Sequence, residues 1–172
     1  MPRLTSDARH KVSFTLNGHA VTAEAEPRLL LTDFLRHVVG VTGTHVGCEH
    51  GVCGACTIQI DGQPARACLT LAVSIEGADV RTVEALAPRD AEPGRLSVLQ
   101  EAFRRHHALQ CGFCTAGILM SLDAFLRDNR DPSEAEVREY LSGHLCRCTG
   151  YVPIVAATLD AARELRDGGF NV

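Results

Sequence analysis

The 172-residue chain lacks tryptophan, and it contains no run of Lys or Arg. A net charge of −4 and a pI of about 6.0 give it no electrostatic footprint for nucleic acid or an anionic membrane. No stretch approaches the ~18 consecutive apolar residues of a spanning helix, so membrane insertion is not expected. The N-terminal MPRLTSDARHKVSF has no apolar h-region and no paired arginines, so a cytoplasmic chain is expected. A collagen-like period and internal sequence repeats are also missing. With 45% hydrophobic and 22% charged residues the balance is globular, which excludes large-scale disorder. The length suits one or two small domains.

What the chain does have is eight cysteines. A reducing cytosol makes stable disulfides rare. Cysteine is about 5% of the chain, below the ~8–10% of disulfide scaffolds, and a chain this long builds a core without staples. Thiolate ligation of metal is the remaining use.

The N-terminal part alternates like strands. Lys11–Asn17 places Val12, Phe14 and Leu16 on one face, Asn17-Gly18 signals a two-residue hairpin turn, and Ala20–Ala25 returns. Leu30–Val38 suits a short helix. A glycine-rich stretch, Gly40–Cys56, follows, then a strand at Thr57–Ile60, a turn at Asp61-Gly62 and a partner strand at Ala65–Cys68. Asp79–Arg95 reads as a connector with a weak strand at Val80–Val83. The remainder is helical: Leu96–His106, Thr115–Arg127, a helix to about Leu141 that opens on a Ser133/Glu136 capping box and stops at Gly143, and Val152–Leu165. The tail Asp167–Val172 is expected to be mobile. The fold class is α+β, with a first domain over 1–80, a connector over 81–95 and an all-α domain over 96–172.

The cysteines form two constellations. Cys48, Cys53, Cys56 and Cys68 have the C-x4-C-x2-C…C spacing of plant-type [2Fe–2S] ferredoxins. Three thiolates reach one rhombic cluster from a single loop only if the backbone wraps it closely, which Gly51, Gly54 and Ala55 permit. Cys111, Cys114, Cys146 and Cys148 form the second group, each pair just ahead of a helix, where N-terminal N–H groups and dipoles favour an anionic cluster. Two structural zinc sites would use the same number of thiolates, although zinc ribbons favour paired C-x2-C knuckles. Disulfides are the third alternative.

Three segments carry a family likeness: GCEHGVCGACTIQIDG (47–62), ALQCGFCTAG (108–117) and GHLCRCTGYVPI (143–154). Together and in this order they strongly resemble the small iron–sulfur subunit of molybdenum hydroxylases. That family includes xanthine dehydrogenase, aldehyde oxidoreductases and carbon monoxide dehydrogenase, and the likeness covers about residues 11 to 165. The resemblance implies a β-grasp ferredoxin domain followed by a four-helix domain with pseudo-twofold symmetry. It implies that Cys48, Cys53, Cys56 and Cys68 hold a [2Fe–2S] cluster distal to molybdenum. Cys111, Cys114, Cys146 and Cys148 would hold the proximal one. Gln110 matches a glutamine that hydrogen-bonds the molybdopterin. Further implications are a large subunit carrying molybdopterin cytosine dinucleotide, a medium subunit carrying FAD, and a dimer of heterotrimers. Electrons would run from molybdenum through the proximal and distal clusters to FAD. Substrates in the family include N-heterocycles, aldehydes and aromatic acyl compounds. The two rival functions are a zinc-stabilised interaction module and a free-standing ferredoxin.

The chain departs from the family pattern at His144, where Asn is usual, and at Ala116, where Pro is common. Its Glu49–Val52 segment differs from the carbon monoxide dehydrogenase form and disfavours CO as substrate. Arg147 either offsets cluster charge, meets a partner or faces solvent. Tyr151 either packs under the proximal cluster or is a plain helix-start aromatic. His45 and His50 read as loop or interface residues, since four cysteines already complete the site and a Rieske ligation is not needed. His106 and His107 read as groups at a helix end. No Ser/His/Asp arrangement suggests a nucleophilic triad.

Overall fold

The computed structural model describes residues 4–87 and 94–168. Strand β1 (His10–Leu16) turns at Asn17-Gly18 into β2 (His19–Ala25), with register Leu16↔His19. Both turn residues take positive φ, 52° and 79°, as a twist-matched two-residue hairpin requires. Val12, Phe14 and Leu16 are buried, as the alternation predicts.

The expected helix at Leu30–Val38 is irregular. Helix α1 (Leu31–Asp33) widens into a π-helical stretch, Phe34–Val39, which Gly40 closes. The result brings Leu31, Phe34 and Leu35 all to full burial, with Phe34 5.9 Å from the Phe14 ring.

The second hairpin pairs β3 (Thr57–Ile60) with β4 (Gln63–Arg66). The partner strand therefore starts earlier than the expected Ala65–Cys68. A two-residue turn at Asp61-Gly62 fixes the register Ile60↔Gln63, so pairing is complete by Arg66. Cys68 falls instead in a 3-10 turn, Ala67–Leu69.

The weak connector strand is corrected in place and role. Strand β5 (Asp79–Arg81) sits at the centre of a five-stranded sheet ordered β2-β1-β5-β3-β4. It is parallel to β1 and antiparallel to β3, and Val83 already belongs to a 3-10 turn, Val83–Ala85. Val80 is fully buried between its two neighbours. Long-range pairing, absent from any local pattern, places this strand.

Four helices follow: α2 (Val98–Arg105), α3 (Thr115–Asp128), α4 (Glu134–Tyr140) and α5 (Val152–Asp167). The Ser133/Glu136 capping box opens α4 as expected, and a second box, Ser97/Gln100, opens α2. Each cap of this kind contributes about 1 kcal/mol. Helix α4 ends at Tyr140 and tightens into a 3-10 turn, Leu141–Gly143, ahead of the expected stop. Helix α5 extends to Asp167, so that residue is helical; residues 169–172 of the expected mobile tail lie outside the described residues. Arg105 and His106 of α2 both bond Asp160 of α5 at 2.9 Å, and Arg105 also reaches Glu164 at 2.7 Å.

Helix α3 is buried on nearly all sides, because it packs on β3 as well as on the helical core. This is why TIQI is buried on both faces. A polar seam joins the two layers. The Gln59 amide donates to the Met120 carbonyl at 2.9 Å and to Asp123 at 2.8 Å. Arg127 donates to Gln59 Oε1 and to the Gly62 carbonyl, and Arg81 pairs with Asp123 at 3.2 Å. Among the described residues no helix is long and apolar enough to cross a membrane.

Candidate metal centres

All eight cysteines are free thiols. The first three of the N-terminal group lie on the loop between the π-helical stretch and β3. Glu49, Gly51 and Gly54 all have positive φ, which curls this loop. The curl turns successive N–H groups inward, the kind of concavity that binds anions. The N–H of Cys53 reaches Cys48 Sγ at 3.4 Å, and those of His50 and Val52 join it. These donors, Cys53 first and His50 next, draw the Cys48 thiol down to about 6. Burial pushes Cys53 up, opposed by the N–H of Ala55. Cys56 is buried and its thiol is pushed up to about 11, burial being the main cause. Its Sγ bonds that of Cys68, which the 3-10 turn after β4 delivers.

The second group repeats this pattern at the helix starts. Cys114 is the N-cap residue of α3, with Cys111 three residues before it. Cys146 and Cys148 lie on the loop into α5. Cys111 and Cys148 are exposed, with sulfurs 3.5 Å apart. The N–H of Phe113, then Cys148, lowers the Cys111 thiol, while the bond to Cys111 raises Cys148. Cys114 is pushed up to about 12, first by burial and then by its bond with Cys146. Burial opposes ionisation of Cys146, yet its thiol ends lowered because the Thr149 hydroxyl, 3.1 Å from Sγ, and the Thr149 N–H both reach it.

The thiols thus fall into pairs: Cys48 with Cys53, Cys56 with Cys68, Cys111 with Cys148, and Cys114 with Cys146. Two pairs side by side fit a diiron rhomb, in which each iron takes two protein thiolates and two bridging sulfides. A single tetrahedral ion would draw all four sulfurs to one point. The surrounding N–H donors suit the negative charge of a thiolate-ligated cluster.

Other side chains surround these thiols. The Tyr151 hydroxyl accepts the Cys146 N–H at 2.8 Å and donates to the His144 carbonyl at 2.9 Å. Tyr151 has φ 67°, so this loop holds a side chain in the left-handed region to place that hydroxyl. Of its two sequence readings, helix-start residue is right in position, and the hydroxyl adds a bond to a cysteine N–H. His144 is 3% exposed, with Nε2 2.7 Å from Ser121 Oγ; burial, then nearby Arg66, holds its imidazole down to about 4 and therefore neutral. His45 stacks on Phe113 at 4.9 Å, and its Nδ1 lies 2.8 Å from the Phe113 carbonyl. A carbonyl only accepts, so that nitrogen carries the proton. His45 is thus a bridge between the two cysteine loops, whereas His50 is exposed. Gln110 and Arg147 are exposed beside exposed thiols, and Ala116 is buried. His106 caps α2 and bonds Asp160.

Residues 14–85 match the family model of a 2Fe-2S iron-sulfur cluster binding domain, and residues 82–159 match that of a [2Fe-2S] binding domain. The chain is 56% identical over 151 residues to caffeine dehydrogenase subunit gamma of Pseudomonas sp. (strain CBB1), covering 86% of this chain and 88% of that one. It is 53% identical over 157 residues to the nicotine 6-hydroxylase small subunit of Paenarthrobacter nicotinovorans, covering 91% and 92%. The crystal structure of quinoline 2-oxidoreductase from Pseudomonas putida 86 superposes with a TM-score of 0.87 at 52% identity, over 94% of this chain and 99% of that one. With its two [2Fe–2S] domains, the chain belongs to the small iron–sulfur subunits that carry electrons in multi-subunit molybdenum hydroxylases.

Proposed function

We propose that Cys48, Cys53, Cys56 and Cys68 hold the distal [2Fe–2S] cluster of the relay, and that Cys111, Cys114, Cys146 and Cys148 hold the proximal one. The observation that carries this assignment is the pairing of the thiols two by two within each group. A bound [2Fe–2S] cluster supplies a one-electron couple, so a two-electron oxidation at molybdenum is divided into single transfers. The chain's own part is to hold and bias these centres. The inward N–H groups of His50, Val52 and Cys53 offset negative charge at one, and those of Phe113 and Thr149 do so at the other. Burial of Cys56 and Cys68 at one, and half-burial of Cys114 and Cys146 at the other, keeps water from one side of each.

The proposed partners are a large subunit carrying molybdopterin cytosine dinucleotide, a medium subunit carrying FAD, and a second heterotrimer, all in the cytoplasm. Exposed apolar residues support two docking faces. Leu109, Phe113, Leu145 and Val152 flank the exposed thiols Cys111 and Cys148 in sequence, and Val52 and Leu69 border the first loop. Gln110, exposed beside Cys111, would offer a pterin edge both a donor and an acceptor. This reading divides the chain into a β-grasp domain over 1–80, a connector over 81–95 and a pseudo-twofold helical domain over 96–172. Arg81 ends β5, and residues 88–93 of the connector lie outside the described residues.

The substrate class is an N-heterocycle oxidised on the large subunit. The names of the three relatives above, which act on caffeine, nicotine and quinoline, support it. The test is anaerobic mixing of the purified complex with quinoline, caffeine, nicotine or benzaldehyde while cluster absorbance is followed. Bleaching by a heterocycle at a rate above that with benzaldehyde is expected. Bleaching by the aldehyde alone would overturn the substrate class.

A further inference from the structure

We propose that His144 is a positioning residue that fixes Cys53 of the distal loop against Cys146 of the proximal loop, so that the two clusters keep one separation and one orientation. The proposal rests on the cluster assignment above. Its basis is the seam where the two cysteine loops touch.

Several contacts make that seam. The Leu145 N–H, immediately before Cys146, donates to the Cys53 carbonyl at 2.9 Å. The His144 ring spans from Ser121 on α3, 2.7 Å from its Nε2, to Gly54 on the distal loop. A Cβ on Gly54 would lie 2.5 Å from His144 Nδ1 and 2.8 Å from the Gly143 carbonyl, and Gly54 has φ 78°. Only glycine satisfies both the approach and the backbone. On the other side, Gly117 in the first turn of α3 lies directly on the Gly54 carbonyl, leaving no room for a side chain. Arg66 closes the edge, donating to the Gly143 carbonyl at 2.6 Å and to the Thr57 hydroxyl, which itself donates to the Gly54 carbonyl at 2.7 Å.

The His144 side chain, carried on the proximal loop, meets α3 at Ser121 and the distal loop at Gly54. It is 3% exposed, and its Nδ1 is enclosed without a hydrogen-bond partner. An enclosed polar atom without a partner costs stability, which is worth explaining at a site where a plain apolar ring would also fill space. The flat ring carries a hydrogen-bonding tip that reaches Ser121 while its edge lies on Gly54. Releasing that tip frees Gly143–Leu145, and with it the bond to Cys53. A change in the helical half is then felt at the distal cluster, whose four ligands all lie in the other half.

The test uses the intact complex, with iron and sulfide counted and EPR recorded on the fully reduced protein. In His144→Ala the clusters remain loaded, but the spin–spin splitting between them changes and the distal signal broadens. Electrons reach the distal cluster about tenfold more slowly, the size of effect usual for groups that orient metal ligands. His144→Gln restores the splitting, because its amide reaches the Nε2 position and both donates and accepts. A loaded His144→Ala protein with the wild-type splitting and distal signal overturns the proposal. If that variant does not load, Ser121→Ala is read in its place: an altered splitting supports the proposal and a wild-type spectrum overturns it. Wild-type protein without two iron–sulfur centres would instead overturn the cluster assignment.

Discussion

The amide of Leu145 donates to the carbonyl of Cys53 at 2.9 Å, so a backbone hydrogen bond joins the two cysteine loops. The relay of the proposed function thus has a short bonded connection from Cys53 to Cys146. Although they sit in different halves of the sequence, the two groups are not independent sites.

Removing one thiol separates their roles. Cys148→Ser is expected to lose the proximal centre and keep the distal one, so iron falls from about four to about two per chain. One EPR signal persists, and substrate no longer reduces FAD. Cys48→Ser should give the converse spectrum. Retention of both signals in Cys148→Ser would remove that residue from the ligand set.

Close backbone approach at the seam gives a second prediction. Gly117→Ala places a methyl group against the Gly54 carbonyl, and no flexible side chain is there to yield. Overpacking of this kind costs about 1–3 kcal/mol. The variant should melt at lower temperature and load fewer distal clusters, as read by calorimetry and iron content. An unchanged melting temperature would show that α3 and the distal loop separate easily.

The clamp between α2 and α5 predicts acid sensitivity. His106, then Arg105, hold the Asp160 carboxyl below its ordinary range. A carboxyl lowered on folding contributes stability above its unfolded pKa, and that contribution fades as pH falls through the folded value. Thermal melts of the wild type should therefore fall more steeply below about pH 4 than those of Asp160→Asn. Parallel curves for the two proteins would show that the clamp adds nothing.

Metal removal should be felt by the fold as well as by the colour. The thiols of each group come from separate segments, Cys68 from the turn after β4 and Cys146 and Cys148 from the loop into α5. A bound cluster therefore cross-links these segments, and its binding energy adds to folding. Anaerobic chelation of iron should lower the melting temperature while the helical signal at low temperature largely persists, since the helical core has no cysteine among its buried residues and Cys114 and Cys146 only pack against it. Circular dichroism on matched loaded and stripped samples checks this.

Much of the cluster chemistry was legible because it is local. Spacing alone grouped the cysteines, and the Asn17-Gly18 and Asp61-Gly62 turns and the Ser133/Glu136 cap were readable for the same reason. What the sequence hid depends on distant partners. Asp79–Arg81 is too short to announce a strand by its pattern, and only pairing with β1 and β3 makes it the central strand. Cys68 left the expected strand because the turn length, rather than β propensity, ended the pairing. The Ser97/Gln100 box was present in the sequence as S-x-x-Q and needed only to be sought. His144 was legible only as a departure from the family's Asn; its burial follows from Gly54 and Ser121, which are far off in sequence.

The central claim is that this chain holds two diiron centres, each on two pairs of thiols. Iron, acid-labile sulfide and zinc should be measured on anaerobically purified protein, with EPR after dithionite reduction. The account predicts about four iron and four sulfide per chain, no zinc, and two distinct signals. Zinc without sulfide would contradict it.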